Sequence, residues 1–311
     1  MKICFIAPSF HWVGGGSETI VYWFARILQK RHEVSVLCGK PFMDRQPLHT
    51  GTTPFRRIEA FSFSRDAMLV KLLAKCFRME LYDVESRLFF HIAAASGSIR
   101  QHLKQMDVVS VHYAMDSLLF SSLLRQWGVP TVFHLPGVRR PHFFEQDHAS
   151  FYVANSLFTK AMIESRYSSR LDGVVTPGIS PLLFGKFPED EGAVHHKRIL
   201  YVGRLSPEKG ISHLPDIFEG VVARHPDAVL TVVGDGPERR RLESRLLEKG
   251  LSEKVVLTGQ LGYEELVTYY HQADLYIHCS NKESFGMTVL EAMAAGLPVI
   301  ASDLPIIRQV T

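Results

Sequence analysis

Residues 198–236 read RILYVGRLSPEKGISHLPDIFEGVVARHPDAVLTVVGDG. An apolar run, Arg198–Val202, ends at Gly203 and enters a polar loop holding Arg204, Pro207 and Lys209. Leu214, Ile217, Phe218, Val221 and Val222 then recur at helical spacing, and a second apolar run covers 228–233. Strands that are apolar throughout, rather than alternating, are buried on both faces, as parallel sheets covered by helices require. Strand, helix, strand is the repeating unit of such a sheet.

The same order opens the chain. Residues 2–7 form an apolar run that leads into Gly14-Gly15-Gly16. Ile20, Trp23, Phe24, Ile27 and Leu28 follow at helical spacing, and Val34–Cys38 is a second apolar run. Further strands are expected at 108–112, 131–135, 151–154 and 174–176, then at 255–258, 275–278 and 298–301. Pro237 and Gly250 punctuate a helix between them. The fold class is therefore α/β, with two doubly wound Rossmann-like domains. Residues 1–180 are expected as the first, 181–197 as a linker rich in proline, glycine and charge, and 198–311 as the second. Residues 40–105 carry the weakest pattern. Met68–Met79 reads as a helix packed on the first sheet or, alternatively, lying on a membrane surface.

The chain has 311 residues, 46% hydrophobic and 22% charged, ordinary values for a folded protein of two domains. No run of about 18 apolar residues offers a membrane span; Asp107, Asp116 and Glu291 break the best candidates. Met1–Pro8 is too short for a signal peptide and reads as a buried strand. Cys4, Cys38, Cys76 and Cys279 lie far apart, which excludes a zinc ribbon and implies a reduced, cytoplasmic compartment. Residues 1–180 hold 21 Lys and Arg against 14 Asp and Glu, whereas residues 181–311 hold 14 against 18. The imbalance is either ordinary surface charge or a face turned to something anionic, such as a membrane surface or lipid-linked substrate. Scattered basic residues without interleaved aromatics argue against nucleic acid.

Several segments carry chemistry. The Gly14–Gly16 loop could bring backbone N–H groups to a phosphate at a helix N-terminus. It lacks the G-x-G-x-x-G spacing, and the second strand ends Cys38-Gly39-Lys40 with no ribose-binding carboxylate, so a nicotinamide dehydrogenase is disfavoured. Gly203, Arg204 and Lys209 lie where open parallel sheets bind ligands, and two cations suit a diphosphate; two solvated loop charges are the plainer alternative. In residues 280–291 a polar loop with Glu283 leads into a helix near Gly286. The backbone of Phe285, Gly286 and Met287 would face an anion there. Glu291 falls in an apolar helix, where a carboxylate is costly unless ligand hydroxyls bond to it.

These residues resemble glycosyltransferase family 4, retaining enzymes of the two-domain GT-B fold with an interdomain cleft. The E-x7-E motif matches Glu283 and Glu291, the glycine-arginine and lysine pair matches Gly203, Arg204 and Lys209, and the early glycine loop matches Gly14–Gly16. Residues 291–303 are also similar. The resemblance is strongest over 198–307, moderate over 1–38 and 106–180, and poor over 40–105.

The resemblance implies a donor nucleotide-sugar and an acceptor that is a sugar or lipid-linked; the basic first half admits contact with the membrane's inner face, and with no DxD-like acidic pair placed as a metal ligand, no metal or other cofactor is expected. It implies that Arg204 and Lys209 hold the diphosphate, that Glu291 binds ribose, and that Glu283, Ser284, Phe285, Gly286 and Met287 meet the sugar or its phosphates. Gln260 and Leu261 would meet the base. His134 is displaced by two residues from the family's His-Gly pair, and His112 is a second candidate; each is equally readable as structural. Thr176-Pro177-Gly178 replaces a Pro-Asn-Gly signature. The family continues beyond the position of Thr311 with helices that cross back onto the first domain, so the resemblance implies a shortened chain. The rivals are an epimerase or phosphorylase on the same scaffold, or a nucleotide-sugar binding module without turnover.

Overall fold

The two leading apolar runs form β1 (Lys2–Ile6) and β8 (Arg198–Val202) in the computed structural model. The structure describes residues 1–8, 16–41, 56–62, 72, 75, 81–112, 118–135, 150–167, 170–185 and 197–311. The chain divides into two units, Met1–Pro177 and Gly178–Thr311.

In the first unit β1 is joined by β2 (Glu33–Pro41), β3 (Arg56–Ser62), β4 (Val108–His112), β5 (Thr131–Leu135), β6 (Ser150–Ala154) and β7 (Gly173–Val174). They form a seven-stranded parallel sheet in the order β3-β2-β1-β4-β5-β6-β7. Its helices are α1 (Gly16–Leu28), α2 (Leu81–Ala95), α3 (Gly97–Leu103), α4 (Leu118–Gln126) and α5 (Leu157–Tyr167). Alternate β1 residues feed opposite faces. Ile3, Phe5 and Ala7 cluster with Val21 and Ala25 of α1, while Cys4 and Ile6 cluster with Phe89 and Ala93 of α2.

The second unit repeats the plan. Its sheet adds β9 (Val229–Val233), β10 (Val255–Gly259), β11 (Leu275–His278) and β12 (Val299–Ala301), in the parallel order β10-β9-β8-β11-β12. Its helices are α6 (Leu214–Arg224), α7 (Arg239–Glu248), α8 (Tyr263–Gln272), α9 (Met287–Ala294) and α10 (Pro305–Val310). Tyr201, Leu230, Val232 and Ile277 share a core with Phe218 of α6 and Leu242 and Leu246 of α7.

Both sheets reverse their strand order beside the first strand, between β1 and β4 and between β8 and β11. Ligands of open parallel sheets bind at that switch point, outside the carboxyl ends of the strands. Each switch pair is pinned at its far end by an aspartate. Asp107 Oδ2 accepts from Lys2 N at 2.6 Å, and Asp274 Oδ2 accepts from Arg198 N at 2.7 Å.

Several sequence expectations shift. On α1 and α6, Ile27 and Ile217 point outward, 57% and 40% exposed. The i, i+4 pair Val21 and Ala25, both fully buried, faces the sheet on α1. The unit boundary falls at Pro177, and Pro181–Leu183 forms a 3-10 turn packed against α8, so the expected 181–197 linker opens inside the second unit. Residues 186–196 lie outside the described residues, as do Gly14, Gly15, Cys76 and most of Met68–Met79, where Leu72 and Lys75 are helical and exposed. In the illegible 40–105 stretch β3, α2 and α3 are unanticipated elements. Cys4, Cys38 and Cys279 are buried thiols outside any disulfide. No helix among the described residues is long and apolar enough to cross a membrane.

Candidate active site

Three loops converge at the carboxyl ends of β8, β9 and β11. After β8, Leu205 N donates to Asp235 O at 3.0 Å, and Glu238 N returns a bond to Leu205 O at 2.9 Å. Farther along, Asn281 N donates to Glu208 O at 2.9 Å. The loops approach backbone to backbone because glycine lines the contacts. Gly210 has φ 62° and Gly234 φ 134°, and a Cβ on either would run into the carbonyl of Cys279 or of Gly203. No L side chain fits there.

This stitching sets Lys209, at the end of the 3-10 turn Pro207–Lys209, opposite Glu283 on the loop before α9. Lys209 Nζ lies 2.7 Å from Glu283 Oε2. Glu283 Oε2 also lies 3.5 Å from His278 Nε2, and its Oε1 accepts from Ser284 N at 2.9 Å. Burial opposes ionisation of Glu283, but the bonds from His278, Lys209 and the Ser284 N–H outweigh it and bring the carboxyl down to about 2. Arg204 is more open; it pairs with Glu208 at 3.2 Å, with side chains 46% and 41% exposed. Both cations expected to hold a diphosphate therefore already carry a carboxylate partner.

Glu291 lies on α9, about one turn into the helix that follows the Glu283 loop, 4% exposed. Two tyrosines of α8 meet its carboxyl within the protein. Tyr270 Oη donates to Glu291 Oε2 at 3.0 Å, and Tyr263 also bonds to the carboxyl. Burial raises the carboxyl to about 7 against these two bonds. Gly286, at φ 90°, precedes α9 and lies under Ile307 of α10. The first N–H groups of α9 have no acceptor within the helix, which suits an anion. Phe285 and Gly286 are buried, Met287 is half-buried and Ser284 is exposed beside them. Gln260, exposed, and Leu261, half-buried, occupy the turn between β10 and α8.

In the first unit His112 and His134 are register partners on β4 and β5, with rings stacked 4.2 Å apart at 12°. His112 Nε2 also lies 3.2 Å from Ser110 Oγ. Burial, and for His112 also the neighbouring imidazole, holds both below the usual histidine range, His134 at about 4. They are neutral rings stacked on each other, with Phe5 tilted against His112 and Phe24 tilted against His134. Gly16 begins α1.

Three participants escape sequence reasoning. His278 ends an apolar strand and is 4% exposed; its Nδ1 is buried without a hydrogen-bond partner in the protein. Tyr263 and Tyr270 stand seven apart on α8, hence on one face, and that spacing was the available signal.

Residues 15–178 match the model of the glycosyl transferase 4-like domain, and residues 186–311 match that of the glycosyl transferases group 1. The chain belongs to this glycosyltransferase family. The chain is 30% identical over 257 residues to the D-inositol 3-phosphate glycosyltransferase of Corynebacterium urealyticum, covering 68% of this chain and 60% of that protein. It is 35% identical over 109 residues to the alpha-monoglucosyldiacylglycerol synthase of Streptococcus pneumoniae, covering 35% of this chain and 25% of that one. The chain thus spans less than two thirds of these relatives' lengths. Anabaena HepE, solved in complex with UDP and glucose, matches 100% of this chain and 83% of its own, with a TM-score of 0.72 at 20% identity. That likeness speaks to the fold, the GT-B type with two Rossmann-like α/β units.

Proposed function

We propose that the protein transfers a sugar from a nucleoside diphosphate sugar to an acceptor hydroxyl, with retention at the anomeric carbon. The observation that carries this reading is the half-buried Lys209–Glu283 pair at the β8/β11 switch point, beside the α9 N-terminus. The hard step is breaking the bond from the anomeric carbon to the phosphate oxygen, whose electron pair leaves with the diphosphate. Lys209, Arg204 and the α9 N–H groups would stabilise that developing charge. The acceptor oxygen then bonds to the anomeric carbon from the face of departure, and its proton passes to the leaving phosphate oxygen. Glu283 fixes Lys209 and, with Ser284–Met287, meets the sugar or its phosphates. Glu291 receives the ribose hydroxyls and Gln260–Leu261 the base. We assign the donor to residues 178–311 and the acceptor to residues 1–177, where neutral His134 can hydrogen-bond without adding charge.

Relatives named for D-inositol 3-phosphate and a monoglucosyldiacylglycerol support a polyol or lipid-linked acceptor, as does the basic excess of residues 1–180. A panel of UDP- and GDP-sugars in thermal shift tests the donor, since a ligand at about 100 times its Kd stabilises by about 2.7 kcal/mol. Absence of any shift overturns the reading. Transfer should persist in EDTA, because the proposed charge stabilisation comes from side chains and backbone.

A further inference from the structure

The carboxyl of Glu291 ends a string of hydrogen bonds that begins where the second unit begins. Ser180, 2% exposed, caps the Pro181–Leu183 turn by accepting from Leu182 N at 3.3 Å. Its hydroxyl also donates to Tyr263, whose own hydroxyl donates to Glu291. Tyr270 approaches from the same helix, but its single proton is shared between Glu291 Oε2 at 3.0 Å and Thr288 O at 3.3 Å. Tyr263 directly follows Gln260-Leu261-Gly262, the turn assigned to the base. One string thus joins the entry turn, the base turn and the acid assigned to ribose.

We propose that Tyr263 is a positioning residue for nucleotide binding, aiming the Glu291 carboxyl while tying it to the Ser180 turn. The inference rests on the reading of Glu291 as a nucleotide contact. Water normally solvates a carboxylate, and at this depth hydroxyl donors must replace it. The titratable groups facing Glu291 are Tyr263 and Tyr270 on α8 and Tyr276 on β11. Burial keeps all three phenols protonated at neutral pH, so they supply protons and no charge. Without Tyr263, only the shared proton of Tyr270 remains. The carboxyl then keeps its own proton and becomes a donor, losing half its capacity to receive ligand hydroxyls. A chain of bonds in a buried site is also mutually strengthening, so the Ser180 hydroxyl reinforces the one that Tyr263 gives.

The test uses the full 311-residue chain. Glutamate carboxyls are labelled with ¹³C, and the Glu291 resonance, identified by its loss in Glu291→Gln, is titrated in wild type, Tyr263→Phe and Ser180→Ala. Calorimetry with UDP and with GDP runs in parallel from pH 6 to 9. Tyr263→Phe should raise the Glu291 midpoint by about one pH unit, the worth of one hydrogen bond to a charged group. Diphosphate affinity should fall about threefold at pH 7, as the ionised fraction drops, and recover toward pH 9. Ser180→Ala should move both readouts the same way by less, and Tyr263→Phe should add nothing in the Glu291→Gln background. An unmoved Glu291 titration in folded Tyr263→Phe overturns the proposal, as does an equal affinity loss at every pH, which marks a merely structural role. If Tyr263→Phe fails to fold, Ser180→Ala carries the same test with the tyrosine ring in place. If the titration moves but neither diphosphate binds wild type, the nucleotide reading fails and takes the binding role with it.

Discussion

The two units share a scaffold and differ in what they put at its working end. Each has a first strand flanked by its second and fourth, and each pins the switch pair with an aspartate that accepts from the first strand's leading N–H. At the carboxyl ends the likeness stops. The first unit presents two neutral stacked imidazoles among phenylalanines. The second presents a lysine, an ionised glutamate and a glutamate poised near neutrality. The scaffold is held by backbone bonds that any such fold can make, whereas the chemistry lies in loops, where side chains cost the sheet little.

The largest effects should separate the units by charge. Lys209→Ala should lower kcat on the order of 10²–10³, as for loss of one preorganised electrostatic contact. His134→Ala should cost no more than about tenfold, the worth of one neutral hydrogen bond. Single-turnover assays of the two variants compare them directly; equal losses would break the contrast.

Within the second unit, the two acids should divide their roles by pH. Because Glu291 is raised to about 7, nucleoside diphosphate affinity should climb as pH rises through 7 and level off above it. Glu291→Gln should abolish that climb and weaken binding about tenfold at pH 8, read by calorimetry. Glu283 is down at about 2, so Glu283→Gln should reduce turnover more than affinity, with no dependence across pH 5–8.

Stability should carry the same signature more weakly. The folded state holds the Glu291 proton to a higher pH than the unfolded chain does. Its contribution to folding is therefore fully present below the ordinary glutamate range and is lost as pH rises toward 7. Urea titrations at pH 5 and 7.5 should show this loss in wild type and not in Glu291→Gln. Smallest of all, Asp107→Ala and Asp274→Ala should each cost about 1 kcal/mol, one hydrogen bond at the sheet's opposite end. A large difference between them would mean that the scaffolds are less alike than their bonds suggest.

The sequence made the second unit more legible than the first for physical reasons. Continuous apolar strands announced β8, β9 and β11 to within a residue, and Lys209, Glu283 and Glu291 stood out as charges in apolar or glycine-rich surroundings. β3 did not, because it opens with Arg56 and Arg57; charged residues are common on edge strands, where they discourage pairing with other chains. The partners of Glu291 were hidden because tyrosines read as core until the fold brings their hydroxyls to a carboxyl. His278 was hidden inside a strand's apolar run, and only the turn after β11 brings Glu283 back onto it.

The glycine contacts at Gly210, Gly234 and Gly236 have a consequence for how such proteins diversify. Each presses its backbone on another loop's carbonyl, leaving no space for even a methyl group. The segments around 203–210, 234–238 and 279–283 cannot drift independently, since a change of path in one collides with its neighbour. New donor preferences would be inherited as a block, with all three segments exchanged together, while the exposed Gln260 turn offers the place where single replacements are free to explore.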